Sequence, residues 1–492
     1  MVTGSVRIWV GVGTLCALIN WGGAGHPACA DIVVYTLPGT NLRIPLEGKA
    51  TVNTGGTVSY RHKRGTLHFS TRDVQIIKTP SKYARYNIQA QKARSGGDVD
   101  SMLELSKWCI SNGMLKEADA ALSSAWKADS SDKRVQTLGM LTKYRRGTVP
   151  STPSAEQEMA KFLNMKGMKV ARSRHYILMH DTSDEINPIT RKTAAQHRLD
   201  LLEKVYDSFY MKFALDGYPL AIPRQPMRVV LFDEQANYLV FVARLSPELK
   251  NTAGFYSPKD NIAIFYRQKS DEALEGLQQL SQSLKTLRDQ VKRTRVAGAG
   301  EIIRFAKTLE LLIDIVGENQ EIEVVTHEAT HQLAANSKLM PRATFNMRWA
   351  HEGLASYFES PKDASWAGIG AVNEQRLMWY RLLAADTEHS NIKFIVTDRI
   401  FDYAQSNGAQ LAAYGQSWAL THFLMDQHMP ELMKFYRLMG KQPEDQARTE
   451  QWREDTYASF QEIFGNTQTL EAQWRAYMRS LKTDTAKLRE QL

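Results

Sequence analysis

Hydrophobic positions change period along this chain, and each change marks a different expected element. Between residues 31 and 80 the apolar residues come in short runs, Ile32–Tyr35, Thr66–Phe69 and Val74–Ile77, with Pro38-Gly39 and Asn53-Thr54-Gly55-Gly56 as turn residues. Such runs predict β-strands, so residues 31–90 read as a small β module. From 97 to 146 the period lengthens. Leu115, Ala118, Ala121, Leu122, Ala125 and Trp126 recur at helical spacing, which predicts two amphipathic helices joined at Asn112-Gly113 and part of a third over Val135–Tyr144. Residues 147–164, with Pro150 and Pro153 among Ser and Thr, read as a linker. Strand and helix then alternate: Arg174–His180 and Met227–Phe232 as strands, Thr193–Phe213 as a helix, and Asn261–Phe265 as a further strand. Leu274, Leu277, Leu280, Leu284, Leu287 and Val291 form a helix-packing seam that Gly298 and Gly300 interrupt. Residues 318–336 hold no Gly or Pro and carry Ile322, Val325, Ala329 and Leu333, predicting a buried helix. The remainder, 367–492, reads as mostly helical around Trp418, Phe423, Leu424, Trp452, Phe460, Phe464 and Trp474. The pattern predicts an α+β chain.

Composition narrows the class. With 43% hydrophobic and 23% charged residues over 492 positions, the chain is globular rather than disordered and long enough for two or three domains. A net charge of +9 favours an acidic surface or anionic polymer, or describes no more than a solvated basic face. Residues 1–30 read as a Sec-type export signal. Arg7 precedes a glycine-diluted apolar run, Ile8–Ile19, and Ala28-Cys29-Ala30 gives a small-x-small pattern for cleavage after Ala30. That run is short for a membrane anchor. The expected location is the periplasm or the medium, with no transmembrane anchor after cleavage. Cleavage would leave Cys109 as the single cysteine, which excludes an intramolecular disulfide. A peptide or protein substrate, and a protein partner for the N-terminal modules, are expected; nucleic acid is not.

The chemistry concentrates in two segments. His327-Glu328-Ala329-Thr330-His331 is an H-E-x-x-H motif inside the expected helix. Residues four apart share a helix face, so both imidazoles can coordinate one Zn²⁺ while Glu328 reaches a water on the metal without being a ligand. The second segment is Trp349-Ala350-His351-Glu352-Gly353-Leu354-Ala355-Ser356-Tyr357-Phe358-Glu359. A catalytic zinc site keeps three protein ligands and one open position, and Glu352 is placed to be the third ligand. Glu359, two turns on, and Ser356, one turn on, share the face of Glu352 and are expected to support the ligands from behind. His351, about 100° around the helix, is expected behind the site or at the surface.

These paired segments resemble the gluzincin (peptidase MA-like) metallopeptidases, in which an H-E-x-x-H helix is followed by a W-x-x-E-G-x-A helix whose Glu completes the site. The nearest likeness is to uncharacterised bacterial members of that clan with W-x-x-E-G-L-A-x-Y-F-E. The resemblance covers chiefly residues 165–430 and implies a peptidase domain over 165–492, with a mixed sheet over the zinc helix and a mostly helical subdomain after it. It implies one Zn²⁺, peptide-bond hydrolysis with Glu328 as general base, and a Tyr or His donor to the oxyanion. The match in Ala413-Tyr414-Gly415-Gln416-Ser417-Trp418 points to Tyr414. It also implies an edge strand that pairs with extended substrate, expected at Asn261, Ile262 and Ala263. The Ala, Leu and Trp spacing in 97–146 is similar to a tetratricopeptide-type hairpin, docked rather than repeated. Two other readings stand beside the peptidase: an inactive envelope scaffold on a protease fold, and a zinc amidase acting on cell-wall peptide bonds with the same atoms.

Overall fold

The computed structural model describes residues 29–486 except 37–42, 63, 189, 269–274, 295–297, 343, 345–346, 360, 363–364 and 484–485. Residues 1–28 of the expected export signal, Pro38-Gly39 and Leu274 therefore lie outside the described residues. The chain is a mixed α and β structure with a sheet module first and helices dominating after it. No helix among the described residues is long and apolar enough to cross a membrane.

The module comprises β1 (Cys29–Thr36), β2 (Arg43–Asn53), β3 (Thr57–His62), β4 (Gly65–Ser70) and β5 (Val74–Pro80), antiparallel in the order β4-β3-β2-β1-β5. Period-two alternation places Val58, Tyr60, Leu67 and Phe69 on one buried face. The sheet ends at Pro80. Residues 82–90, expected within the β module, belong instead to α1 (Lys82–Gly96), capped by Ser81. The helices α2 (Val99–Ser111), α3 (Leu115–Ala128) and α4 (Lys133–Arg146) follow, turning at Asn112-Gly113 as the pattern implied.

The segment expected as a linker is largely helical, since α5 (Pro153–Leu163) fills it. The reason is burial: Ala155, Met159 and Leu163 cover one face of the second sheet. That sheet joins β6 (Lys169–Arg172) and β7 (Tyr176–His180), then, after α6 (Ala194–Leu215), β8 (Met227–Phe232). After α7 (Gln235–Val242) come β9 (Gly254–Ser257) and β10 (Ile262–Tyr266). The order is β6-β7-β8-β10-β9, with β7, β8 and β10 parallel and both outer strands antiparallel. Parallel strands are buried on both faces. Ile177, Val230 and Ile264 meet α5 and α7, while Leu178, Val229 and Ala263 belong to the larger core shared with α6.

Two helices then form an arm and a spine: α8 (Glu275–Thr294) and α9 (Ala299–Asn336), with Leu284 and Val291 of α8 buried. The helix expected over 318–336 is the second half of this spine. The spine is one helix of 38 residues, running through Gly317. Its first half supplies Leu312 and Ile315 to the core of the β module, and its second half lies under β9. Then come α10 (Arg348–Phe358), a short hairpin of β11 (Pro361–Lys362) and β12 (Ser365–Trp366), α11 (Glu374–Leu383), α12 (Ile392–Val396), α13 (Arg399–Tyr403) and α14 (Asn407–Gln427). The last helices are α15 (Met429–Met439), α16 (Glu450–Phe464) and α17 (Thr467–Ser480). Trp349, Trp418 and Trp474 are fully buried among them. Gly368, at φ +122°, presses this part onto the N-terminal helices: a Cβ there would lie 2.4 Å from the Ser111 carbonyl oxygen. Next to it the Ile369 N–H donates to the Ile110 carbonyl at 3.2 Å.

Candidate metal centre

The spine helix brings His327 and His331 to one face, with ring centroids 4.7 Å apart and planes at 85°. Opposite them α10 presents Glu352. A tertiary clamp fixes the start of α10. Its N-terminal residue Met347 offers no side-chain cap, and the buried Asp398 carboxylate accepts instead from the N–H groups of Arg348 and Trp349, both at 2.9 Å. Arg448 donates to the same carboxylate at 3.2 Å. Gly353 then lets α10 close onto α14, because any Cβ would lie 2.6 Å from the Ser417 carbonyl oxygen. Asp398→Ala is expected to cost about 2 kcal/mol by orphaning two helix-start donors and to weaken metal binding; thermal unfolding with metal titration checks both.

The ligand atoms converge. Glu352 Oε2 lies 3.0 Å from His327 Nε2 and 3.6 Å from His331 Nε2, and the two Nε2 atoms are 3.0 Å apart. A tetrahedral ion with bonds of about 2.0–2.2 Å spaces its ligand atoms by about 3.3–3.6 Å. The described residues contain one group of three or more His, Cys, Asp or Glu side chains with this property, namely this one. The donor chemistry fits a cation as well. His327 Nδ1 contacts the Glu359 carboxylate, so its proton sits there and the Nε2 lone pair faces Glu352 and His331. Acceptor atoms turned toward one another repel unless a positive charge lies between them.

Electrostatics reinforce the set. Burial alone would push the Glu352 carboxyl up, but the His327 and His331 imidazoles beside it hold it well below the usual range. Burial pushes the neighbouring Glu328 carboxyl up, with the two imidazoles opposing and Glu352 assisting. Its carboxylate accepts the Tyr256 backbone N–H of β9. Two expected carboxylates thus sit side by side with opposite tendencies, one kept ionised and one drawn toward accepting a proton.

The residues expected behind the ligands are there. Glu359 is 1% exposed and accepts from Arg376 Nε at 2.9 Å and Nη2 at 3.0 Å, from Asn373 at 3.3 Å, and from the buried Ser356 hydroxyl at 3.5 Å. Burial opposes its ionisation, yet Arg376 and His327 bring its pKa down to about 2. His351 stacks on His331 with centroids 4.5 Å apart and is pushed by burial down to about 3, so it stays neutral.

Tyr414 comes from α14, its ring centroid 6.2 Å from that of His327. The Glu352 charge first, and burial second, raise its pKa, which keeps the phenol protonated. Arg376 lies over its ring at 5.3 Å, and Arg348, itself over Phe401 at 4.5 Å, hydrogen-bonds the phenol.

One expectation is corrected. Asn261, Ile262 and Ala263 are not on an edge strand, because β10 pairs with β8 on one side and β9 on the other. Ile262 and Ala263 are buried, and Asn261 sits at φ +55° tying Tyr256 to Asn336 of α9. The strand with a free edge beside the metal face is β9, whose Gly254 approaches so closely that a Cβ would lie 3.1 Å from Val324 of α9. Arg376, Asp398, Arg348 and Gly254 carried no recognisable spacing; only the fold brings them to the centre. Cys109, buried with its thiol pushed up to about 12, is no nucleophile.

Residues 321–445 match the model of a family described as "Protein of unknown function (DUF1570)". The matched stretch contains His327, Glu328, His331, Glu352, Glu359 and Tyr414. A search of curated proteins finds no match.

Proposed function

We propose that this chain is a zinc metallopeptidase of gluzincin type, an exported bacterial endopeptidase whose domain spans residues 165–492. The observation that carries the reading is the convergence of His327, His331 and Glu352 with a second carboxylate, Glu328, beside them and Glu359 fixing the His327 tautomer. When bound, zinc supplies the Lewis acidity that activates water and polarises a peptide carbonyl. Glu328 accepts the proton from water and delivers it to the leaving amine, for which its raised pKa suits it. Tyr414, with Arg348 donating to its oxygen, turns its O–H toward the developing oxyanion. The free edge of β9 supplies backbone groups for an extended peptide, in place of the strand expected from the sequence.

The test is zinc stoichiometry of the purified chain by mass spectrometry, together with a broad peptide screen before and after chelation. One zinc per chain, and cleavage that chelation removes and zinc restores, is the expected result. A fully metallated chain without peptide cleavage would instead support the scaffold reading. Tyr414→Phe is expected to keep the zinc and lower kcat by about 10²-fold or more, measured on any substrate from that screen; an unchanged kcat removes Tyr414 from the mechanism.

A further inference from the structure

Arg348 opens α10, and Glu352 follows it by four residues. Residues at that spacing lie one turn apart on the same helix face, so the arginine flanks the metal centre. Two contacts hold its guanidinium there. It lies over the Phe401 ring, 4.5 Å from the centroid, and it hydrogen-bonds the Tyr414 phenol. The Tyr414 ring is in turn 6.2 Å from that of His327. Arg376, on the same tyrosine, is buried, whereas Arg348 is exposed and open to a ligand.

Among the described residues no carboxylate pairs with that guanidinium, and each acid around it has another partner. Asp398 accepts the backbone N–H groups of Arg348 and Trp349, and its ion pair is with Arg448 at 3.2 Å. Glu352 turns to His327 and His331, at 3.0 and 3.6 Å, and Glu328 to the Tyr256 N–H. Glu359 holds Arg376. An arginine offers more N–H donors than one phenol oxygen takes up, in a planar fork that matches a carboxylate. Stacking on an aromatic face fixes the plane of the guanidinium and leaves its N–H edge available. A ligand that reaches the metal face therefore meets an oriented cation without an acid of its own. The chain's net charge of +9 favours the approach of an acidic ligand as well.

We propose that Arg348 selects peptides that carry a carboxylate beside the cleaved bond, either an acidic side chain or a free C-terminus. The inference rests on the peptidase reading for the bond concerned, but recognition of the carboxylate needs no turnover. The experiment is binding of synthetic peptide libraries to the purified Glu328→Gln chain, one library with amidated and one with free C-termini. Both hold Asp, Glu, Asn and Gln at matched frequency. The same chain is compared with Arg348 intact and with Arg348→Gln, Arg348→Lys and Arg348→Glu. With Arg348 intact, acidic peptides should bind about 10-fold or more tighter than their amide counterparts. Arg348→Gln should remove that ratio, Arg348→Lys keep part of it and Arg348→Glu turn it toward basic peptides, with metal content the same in all. A preference confined to the library with free C-termini identifies the terminal carboxylate as the source. In chains that keep Glu328, the same ratio should appear in kcat/KM. Arg348 also touches Tyr414, so the ratio between peptides is read rather than the rate itself. A carboxylate preference in binding, without cleavage by the wild-type chain, supports the role of Arg348 while overturning the peptidase reading. Equal binding of acidic and amide peptides, a ratio that Arg348→Gln leaves unchanged, or no peptide binding at all overturns the proposal.

Discussion

Glu328→Gln is expected to leave the metal in place and to lower peptide hydrolysis by about 10²–10⁴-fold, the usual worth of a positioned general base. The amide keeps the size and can still accept the Tyr256 N–H, so β9 and the helix stay together. It cannot take a proton at the pH where the buried carboxylate does. None of the three converging ligand atoms belongs to Glu328, so metal affinity has no direct reason to change. The measurement is kcat/KM on a cleaved peptide with metal content determined on the same sample. Equal rates in both proteins would sink the peptidase reading even with zinc bound; loss of metal from the variant would instead mean that the carboxylate holds the site together.

Arg376→Met has the second large expectation, and on a different property. Glu359 is 1% exposed, and two of its five donors are Arg376 nitrogens at 2.9 and 3.0 Å. Removing one partner of a buried ion pair leaves an uncompensated charge, which costs about 3–5 kcal/mol. Glu323, 3.6 Å from the same guanidinium and already pushed up to about 7 by burial and by Glu359, loses its cation as well. The expected outcome is a clear fall in the unfolding midpoint. Metal affinity should weaken by about 10–100-fold, because the carboxylate orienting His327 is no longer held. A double Arg376→Met/Glu359→Gln variant should recover part of the stability but not the metal affinity. If Arg376→Met alone unfolds at the wild-type denaturant concentration, the pair does not lock the site.

Local patterns in the chain were sufficient wherever one element's own periodicity decided its fate. Strands β1, β4 and β5 of the first sheet, the α6 helix with its Thr193 capping box, and β7 and β8 fall where apolar spacing and turn residues place them. Pattern failed where a neighbour decided. Residues 153–163 look like linker because of their prolines, yet Ala155, Met159 and Leu163 are helical because a parallel sheet needs both faces covered. Asn261–Phe265 was rightly read as a strand, but whether a strand is outer or inner depends on pairing order, which its composition does not encode when both neighbours bury it.

The sequence by itself marked the residues that meet at the candidate metal centre: helical spacing put His327 with His331, and Glu352 with Ser356 and Glu359, on shared faces, while Tyr414 came from the resemblance to a known family. The tertiary structure alone decided what holds them in register. Asp398 clamps the Glu352 helix from about 50 residues away, Arg376 neutralises Glu359, and the β9 edge rather than β10 borders the centre. Those partners are single residues at long range, and a buried charge or an unpaired strand edge acquires its meaning only when the chain has closed around it.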